Sequence, residues 1–129
     1  MQRWLLVGIS GGFLAVALGA FGAHALKDRL DQNSLSIFKT ATEYLMFHSL
    51  ALIGLGIWAT TSSEGSPPRA ASLVGGLFSA GIVLFSGSLY ALALTGIRKL
   101  GMITPLGGLS FLCGWIAWGV TVWRGAGSR

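Results

Sequence analysis

Polar and apolar positions fall in long blocks along this chain. Four stretches contain no Asp, Glu, Lys or Arg: Trp4 to Leu26, Tyr44 to Ser63, Ala70 to Ile97 and Leu100 to Trp123. A helix rising 1.5 Å per residue needs about 20 apolar residues to cross some 30 Å of hydrocarbon. Backbone groups in lipid must satisfy one another, so such runs form helices. The pattern predicts four transmembrane helices at about 4–26, 42–61, 70–96 and 105–123. Residues 62–69, rich in Ser, Gly and Pro, read as a turn. Thr104-Pro105 reads as an N-cap followed by the first helical residue. The short stretch 97–104 makes helices three and four antiparallel neighbours. Residues 27–41 set Leu30, Leu35, Ile37 and Phe38 among charges, the pattern of a short amphipathic helix on the membrane surface. The expected fold is all-α: an integral membrane four-helix bundle of antiparallel up-down topology, a single membrane domain over 1–129, with that amphipathic segment between helices one and two. Arg3, an apolar run and Ala23-His24-Ala25 imitate a cleaved leader, but the run is longer than a signal core and reads as a span.

Composition narrows the class. Of 129 residues 53% are hydrophobic and 10% charged, with a mean hydropathy of +0.71. Soluble domains carry about 25% charged residues. A soluble globular domain, a disordered segment and a nucleic-acid module are excluded. The pI near 10.2 reflects nine Lys/Arg against four Asp/Glu, and the basic residues cluster no further than Arg98-Lys99. The single cysteine, Cys113, excludes an internal disulfide and a Cys-rich zinc site and reads as a small hydrophobe in helix four. The face with both termini bears Arg3, Arg69, Arg124 and Arg129, the other Lys27, Arg29, Lys39, Arg98 and Lys99. This balance leans toward termini outside the cytoplasm.

Lipid tails are as apolar as leucine, so small residues that let backbones approach hold such helices together. Gly8, Gly12, Ala15, Gly19 and Ala23 share a stripe on helix one, with Gly8-x-x-x-Gly12 its tightest element. Gly76, Ala80, Gly87 and Ala91 make a similar stripe on helix three, and Gly107, Gly108 and Gly114 lighten helix four. These Gly/Ala faces predict close packing within the bundle, against a membrane-protein partner or in a homo-oligomer. Residues 19–26 and 87–94 share Gly, Ala, Ala and Leu at matched places, as a parallel repeat of two hairpins would.

Alternating directions place the end of helix one, the start of two, the end of three and the start of four on one side. His24, Glu43, Tyr44, His48, Ser86, Ser88, Tyr90, Thr95 and Thr104 therefore gather in one half of the bundle. Trp4, Trp58, Trp118 and Trp123 lie toward the other face, as an aromatic belt would. Ionisable groups within a bilayer usually face protein or water and often mark function. His24, Tyr44, His48 and Tyr90 are expected to approach one another near one membrane face, in a pocket with Glu43, Ser86, Ser88 and Thr104. Each has a bland alternative. Glu43 is four residues from Lys39 and can pair with it, and Tyr44 can satisfy His48. Two histidines on different helices could ligate one haem, or relay protons with Glu43, but nothing else supports either chemistry. No phosphate loop, nucleophile elbow or carboxylate pair is present. No cofactor, metal or catalytic residue is expected.

The motifs resemble a family. Residues 19–27 (Gly-Ala-Phe-Gly-Ala-His-Ala-Leu-Lys), Thr40-Ala-Thr-Glu-Tyr, His48-Ser-Leu-Ala-Leu, Phe85-Ser-Gly-Ser-Leu-Tyr, Ile103-Thr-Pro-Leu-Gly-Gly and Gly114-Trp115 are similar to the transmembrane-protein-256 family, also catalogued as uncharacterised protein family 0382. The resemblance covers nearly the whole chain and implies an integral protein of bacterial inner membranes, without an established activity. The leading expectation is a non-enzymatic accessory or interaction subunit. The alternative is a small oligomeric transporter or proton-coupled carrier using His24, Glu43 and His48.

Overall fold

The computed structural model describes residues 2–61 and 68–127; the predicted turn at 62–69 lies mostly outside them. Among the described residues every regular element is helical, and four helices are long and apolar enough to span a membrane.

The first span is α1 (Gln2–His24). The chain turns over residues 25–31, where the Ala25 amide donates to the Phe21 carbonyl at 2.8 Å and the Leu30 amide to Leu26 at 3.0 Å. Asp31 then caps the next helix, its carboxylate accepting the Ser34 amide at 2.7 Å. That hydrogen bond holds the Asp31 carboxyl below its ordinary range. The second span, α2 (Gln32–Thr61), runs 30 residues without a break. Here the structure redraws a boundary. The expected amphipathic segment forms the first turns of α2 and is no separate surface element. The reason is local: a cap at Asp31, then no Gly or Pro until Gly54. At about 45 Å long, α2 exceeds a hydrocarbon thickness of about 30 Å, and its charge-bearing first turns suit the headgroup layer.

The third span is one rod in three parts: α3 (Pro68–Gly81), a π-helical turn (Ile82–Ser86) and α4 (Gly87–Thr95). Gly96 ends it at φ +71°, a left-handed conformation that costs glycine nothing, with its amide on the Leu92 carbonyl at 2.8 Å. A 3-10 turn (Arg98–Met102) leads into α5 (Thr104–Ala126), with Pro105 in its first turn. Thr104 does not cap that helix as expected. Ile103 already has helical dihedrals, and the Thr104 hydroxyl bonds Ser88 at 2.6 Å instead.

α1 lies along α2, α5 along α3, and α2 against the π-turn and α4. The larger core joins Trp4, Leu52, Leu55, Val74, Phe78 and Phe111; a smaller one at the opposite end joins Leu26, Phe38 and Ala93. The glycine stripes need correction. On α1 the residues facing α2 are Gly8, Gly11, Ala15, Gly19 and Gly22, whereas Gly12 meets open space and Ala23 is exposed. A side chain at Gly8 would come within 2.6 Å of the Ser49 carbonyl, and one at Gly22 within 2.8 Å of Phe38. On the third span Gly76, Ala80 and Gly87 face outward, while Gly75 receives Trp4 and Gly81 receives Phe111. Gly107 admits the backbone of Phe85, and Gly114 the Phe78 ring. Every error is a shift of phase by one residue, about 100° around the helix. Trp4 departs from the expected belt too. It is 9% exposed and packed into the core, while Trp123 stays outside at 79%. Cys113 is a free thiol on the outer face of α5.

Candidate functional site

The polar side chains of the bundle do not form one pocket. They form a histidine enclosed by aromatic rings, a set of interhelical ties and an open cleft.

His48 is the centre of the first. It is buried on α2 at 5% exposure, one turn beyond Tyr44. Its Nδ1 lies 2.9 Å from the Tyr44 carbonyl, and its Nε2 lies 3.1 Å from the indole Nε1 of Trp115. The indole can only donate, so Nε2 accepts and Nδ1 carries the proton that goes to Tyr44. The imidazole is neutral, with both nitrogens engaged. Phe111 stacks on it at 3.5 Å and 11°, and Phe78 meets it edge-on at 5.4 Å. Tyr44 continues the stack at 6.1 Å from His48 and packs on Phe85 at 4.3 Å. The cluster ties α2, α3, the π-turn and α5 together. A metal or haem iron at Nε2 would have to displace the Trp115 hydrogen bond. Among the described residues no three His, Cys, Asp or Glu side chains group as metal ligands.

The hydroxyls make the ties. Ser86, inside the π-turn, donates to the Ala41 carbonyl of α2 at 2.8 Å. Ser88 and Thr104 join α4 to α5 at 2.6 Å, and Ser110 donates across to the Leu77 carbonyl at 2.7 Å. The Tyr90 phenol bonds Thr42 at 2.7 Å, with its ring against Phe38 at 4.8 Å. Thr95 returns its hydroxyl to Ala91 on its own helix.

The third feature is a cleft of about 600 Å³ on the lipid-facing side of α2 and α5, where Glu43, Tyr44, Phe47, His48 and Trp115 meet. Glu43 and Tyr44 are exposed here. The Lys39–Glu43 ion pair, the alternative reading of Glu43, is not closed.

Of the four residues expected to converge, the structure joins Tyr44 and His48 directly. Tyr90 sits apart on Thr42. His24 stands alone, exposed at the end of α1, with no hydrogen-bond or ring partner among the described residues. Matched depth was a sound guide, but azimuth decides contact. His24 follows the α2-facing Gly22 by two residues, about 200° around the helix. Sequence reasoning missed Trp115, Phe111, Phe78, Thr42 and Ser110. Trp115 carried a signal: it is the one tryptophan of five that lies in the middle of a span.

A chain whose regular elements among the described residues are helical, with four spans tied by interhelical hydroxyl bonds, is a multi-pass membrane protein. The relatives agree. The profile of a family described as protein of unknown function, DUF423, matches residues 18–108. A UPF0382 membrane protein of Staphylococcus saprophyticus is 45% identical over 90% of this chain and 92% of its own length. The UPF0382 membrane protein YwdK of Bacillus subtilis is 43% identical over the same shares, and a Staphylococcus aureus relative 41% identical over 98% and 100%. The chain belongs to the DUF423 family of UPF0382 membrane proteins. No solved structure matches it.

Proposed function

We propose that this protein is a non-enzymatic accessory or interaction subunit of the bacterial inner membrane, acting by contact rather than by catalysis. The observation that carries the reading is the commitment of the inward polar groups: His48, Ser86, Ser88, Tyr90 and Thr104 each hold one helix to another. Groups engaged this way build a stiff scaffold. The polar groups left on the lipid side, Glu43 and Tyr44, sit in the α2–α5 cleft, where a helix of a partner or of a second copy would find a carboxylate and a phenol among apolar neighbours. The further kinship with the transmembrane-protein-256 family is part of the same proposal and rests on the resemblance of the motifs alone.

Gentle detergent purification followed by native mass spectrometry tests it. The expected result is a stoichiometric complex with a defined membrane protein, weakened by Tyr44→Ala and by Glu43→Gln. A second reading, a proton-coupled carrier, draws support from Glu43 and His48 sharing that cleft. A pH-dependent flux in proteoliposomes that Glu43→Gln abolishes would favour the carrier and overturn the accessory role.

A further inference from the structure

A second groove, of about 660 Å³, lies between the first turns of α2 and the end of α1. Its rim carries Lys27 and Lys39, with Glu43 further along α2. No carboxylate lies within 4.0 Å of either lysine among the described residues. Below the rim the walls turn apolar through Met46 and Phe47, and Gly19 leaves the floor low. From Lys39 to Phe47 the helix descends about 12 Å. Lys39 is the last cation of α2 and Glu43 its last charge, so the polarity of the helix puts the rim at the passage from headgroups to hydrocarbon. A basic mouth over an apolar trough at that depth is complementary to one molecule in particular, an amphiphile with an anionic head.

We propose that this groove binds one anionic phospholipid, its phosphate held by Lys27 and Lys39 and one acyl chain laid along Met46 and Phe47. The rim bears two cations against one carboxylate, so its net charge selects an anionic headgroup over a zwitterionic one. A free phosphate would use the lysines and leave the trough empty, whereas a phospholipid uses both. The groove adjoins the α2–α5 cleft and shares Glu43 and Phe47 with it, but Lys27, Lys39 and Gly19 line the groove alone, so changes at those three test lipid binding apart from the accessory role.

The test is lipid retention by native mass spectrometry of delipidated full-length protein in mixed micelles. Phosphatidylglycerol is compared with phosphatidylcholine of the same chains. The expected result is preferential retention of one phosphatidylglycerol. Lys27→Gln or Lys39→Gln should weaken it about fivefold each, and the double change about thirtyfold. Glu43→Gln should strengthen it. Gly19→Leu fills the trough without touching the lysines and should expel both lipids, whereas Gly12→Leu, which meets open space on the same helix, should expel neither. Helix content by circular dichroism confirms that each variant is folded. Equal retention of the two lipids, unaltered by the lysine changes, overturns the proposal. So does displacement of phosphatidylglycerol by millimolar inorganic phosphate with no effect of Gly19→Leu, which marks a site for free anions. A lipid-free dimer that Gly19→Leu dissociates overturns it as well, because a second copy then fills the groove.

Discussion

The two long seams of the bundle use glycine differently. Along α1–α2, glycine brings backbone to backbone at Gly8, which rests on the Ser49 carbonyl and Ile53 amide, and close to it at Gly11, which rests on the Ser49 hydroxyl folded back onto the Leu45 carbonyl; toward the end of α1 only Gly22 takes a ring, that of Phe38. Along α3–α5, glycine mainly makes sockets for rings: Gly81 takes Phe111 and Gly114 takes Phe78, and only Gly107 meets backbone, at Phe85. The first seam is flat and gains dispersion and close dipole contact. The second is knobbed and fixes the aromatic ring set that encloses His48. The lesson is that a glycine count does not describe a membrane interface. What fills the space beside each glycine does, and adjacent pairs such as Gly11/Gly12 and Gly75/Gly76 differ completely.

The contrast can be broken first at its most rigid point. Gly107→Leu must push the Phe85 backbone out of the π-turn, and backbone cannot rotate away as a side chain can. A loss of about 3 kcal/mol is expected, at the upper end of overpacking costs, read as reversible unfolding in mixed micelles. A loss under 1 kcal/mol would show that the seam adapts. Next comes the ring cluster. His48→Ala opens a cavity under Phe111 and leaves the Trp115 indole without its acceptor. About 2–4 kcal/mol should go, together with a shift in tryptophan fluorescence. His48→Gln, which keeps an acceptor, should recover part of it. A smaller effect belongs to the tie between seams. Ser86→Ala removes the bond to Ala41 and should cost about 1 kcal/mol, the scale of interhelical hydrogen bonds in membranes.

Two weaker changes sharpen the picture. Gly12→Ala and Gly76→Ala meet open space, so helix propensity alone acts and stability should rise by up to about 1 kcal/mol. Destabilisation at either would place it on an interface. Smallest is the acid response of the exposed cap. The Asp31 carboxyl is held low by the Ser34 amide, so its contribution is complete above the ordinary carboxylate range and fades as pH falls through the lowered folded value. Amide exchange in the first turn of α2 should accelerate in acid, and Asp31→Asn should flatten that dependence.

Much of the fold was legible because a bilayer imposes a length and a polarity on anything that crosses it. All four spans, their alternation and the polar end of the bundle follow from where Lys, Arg, Asp and Glu are absent. The site was legible in depth but not in direction. Glu43, Tyr44 and His48 do share one cleft. His24 and Gly12 were assigned to the inside and face out, because in lipid the outer face is as apolar as the inner and the hydrophobic pattern carries no phase. Trp115 was overlooked because its role depends on an acceptor 67 residues away.

The amino-acid order alone settled that this polypeptide traverses a bilayer four times as helices, since hydrocarbon tolerates no unsatisfied backbone and few charges. Which flank of each helix meets its neighbour, which glycines are sockets, and that His48 is locked neutral among rings were decided only when the helices packed. Those outcomes rest on steric fit and paired hydrogen bonds between residues distant along the chain, and no local rule of hydropathy encodes them.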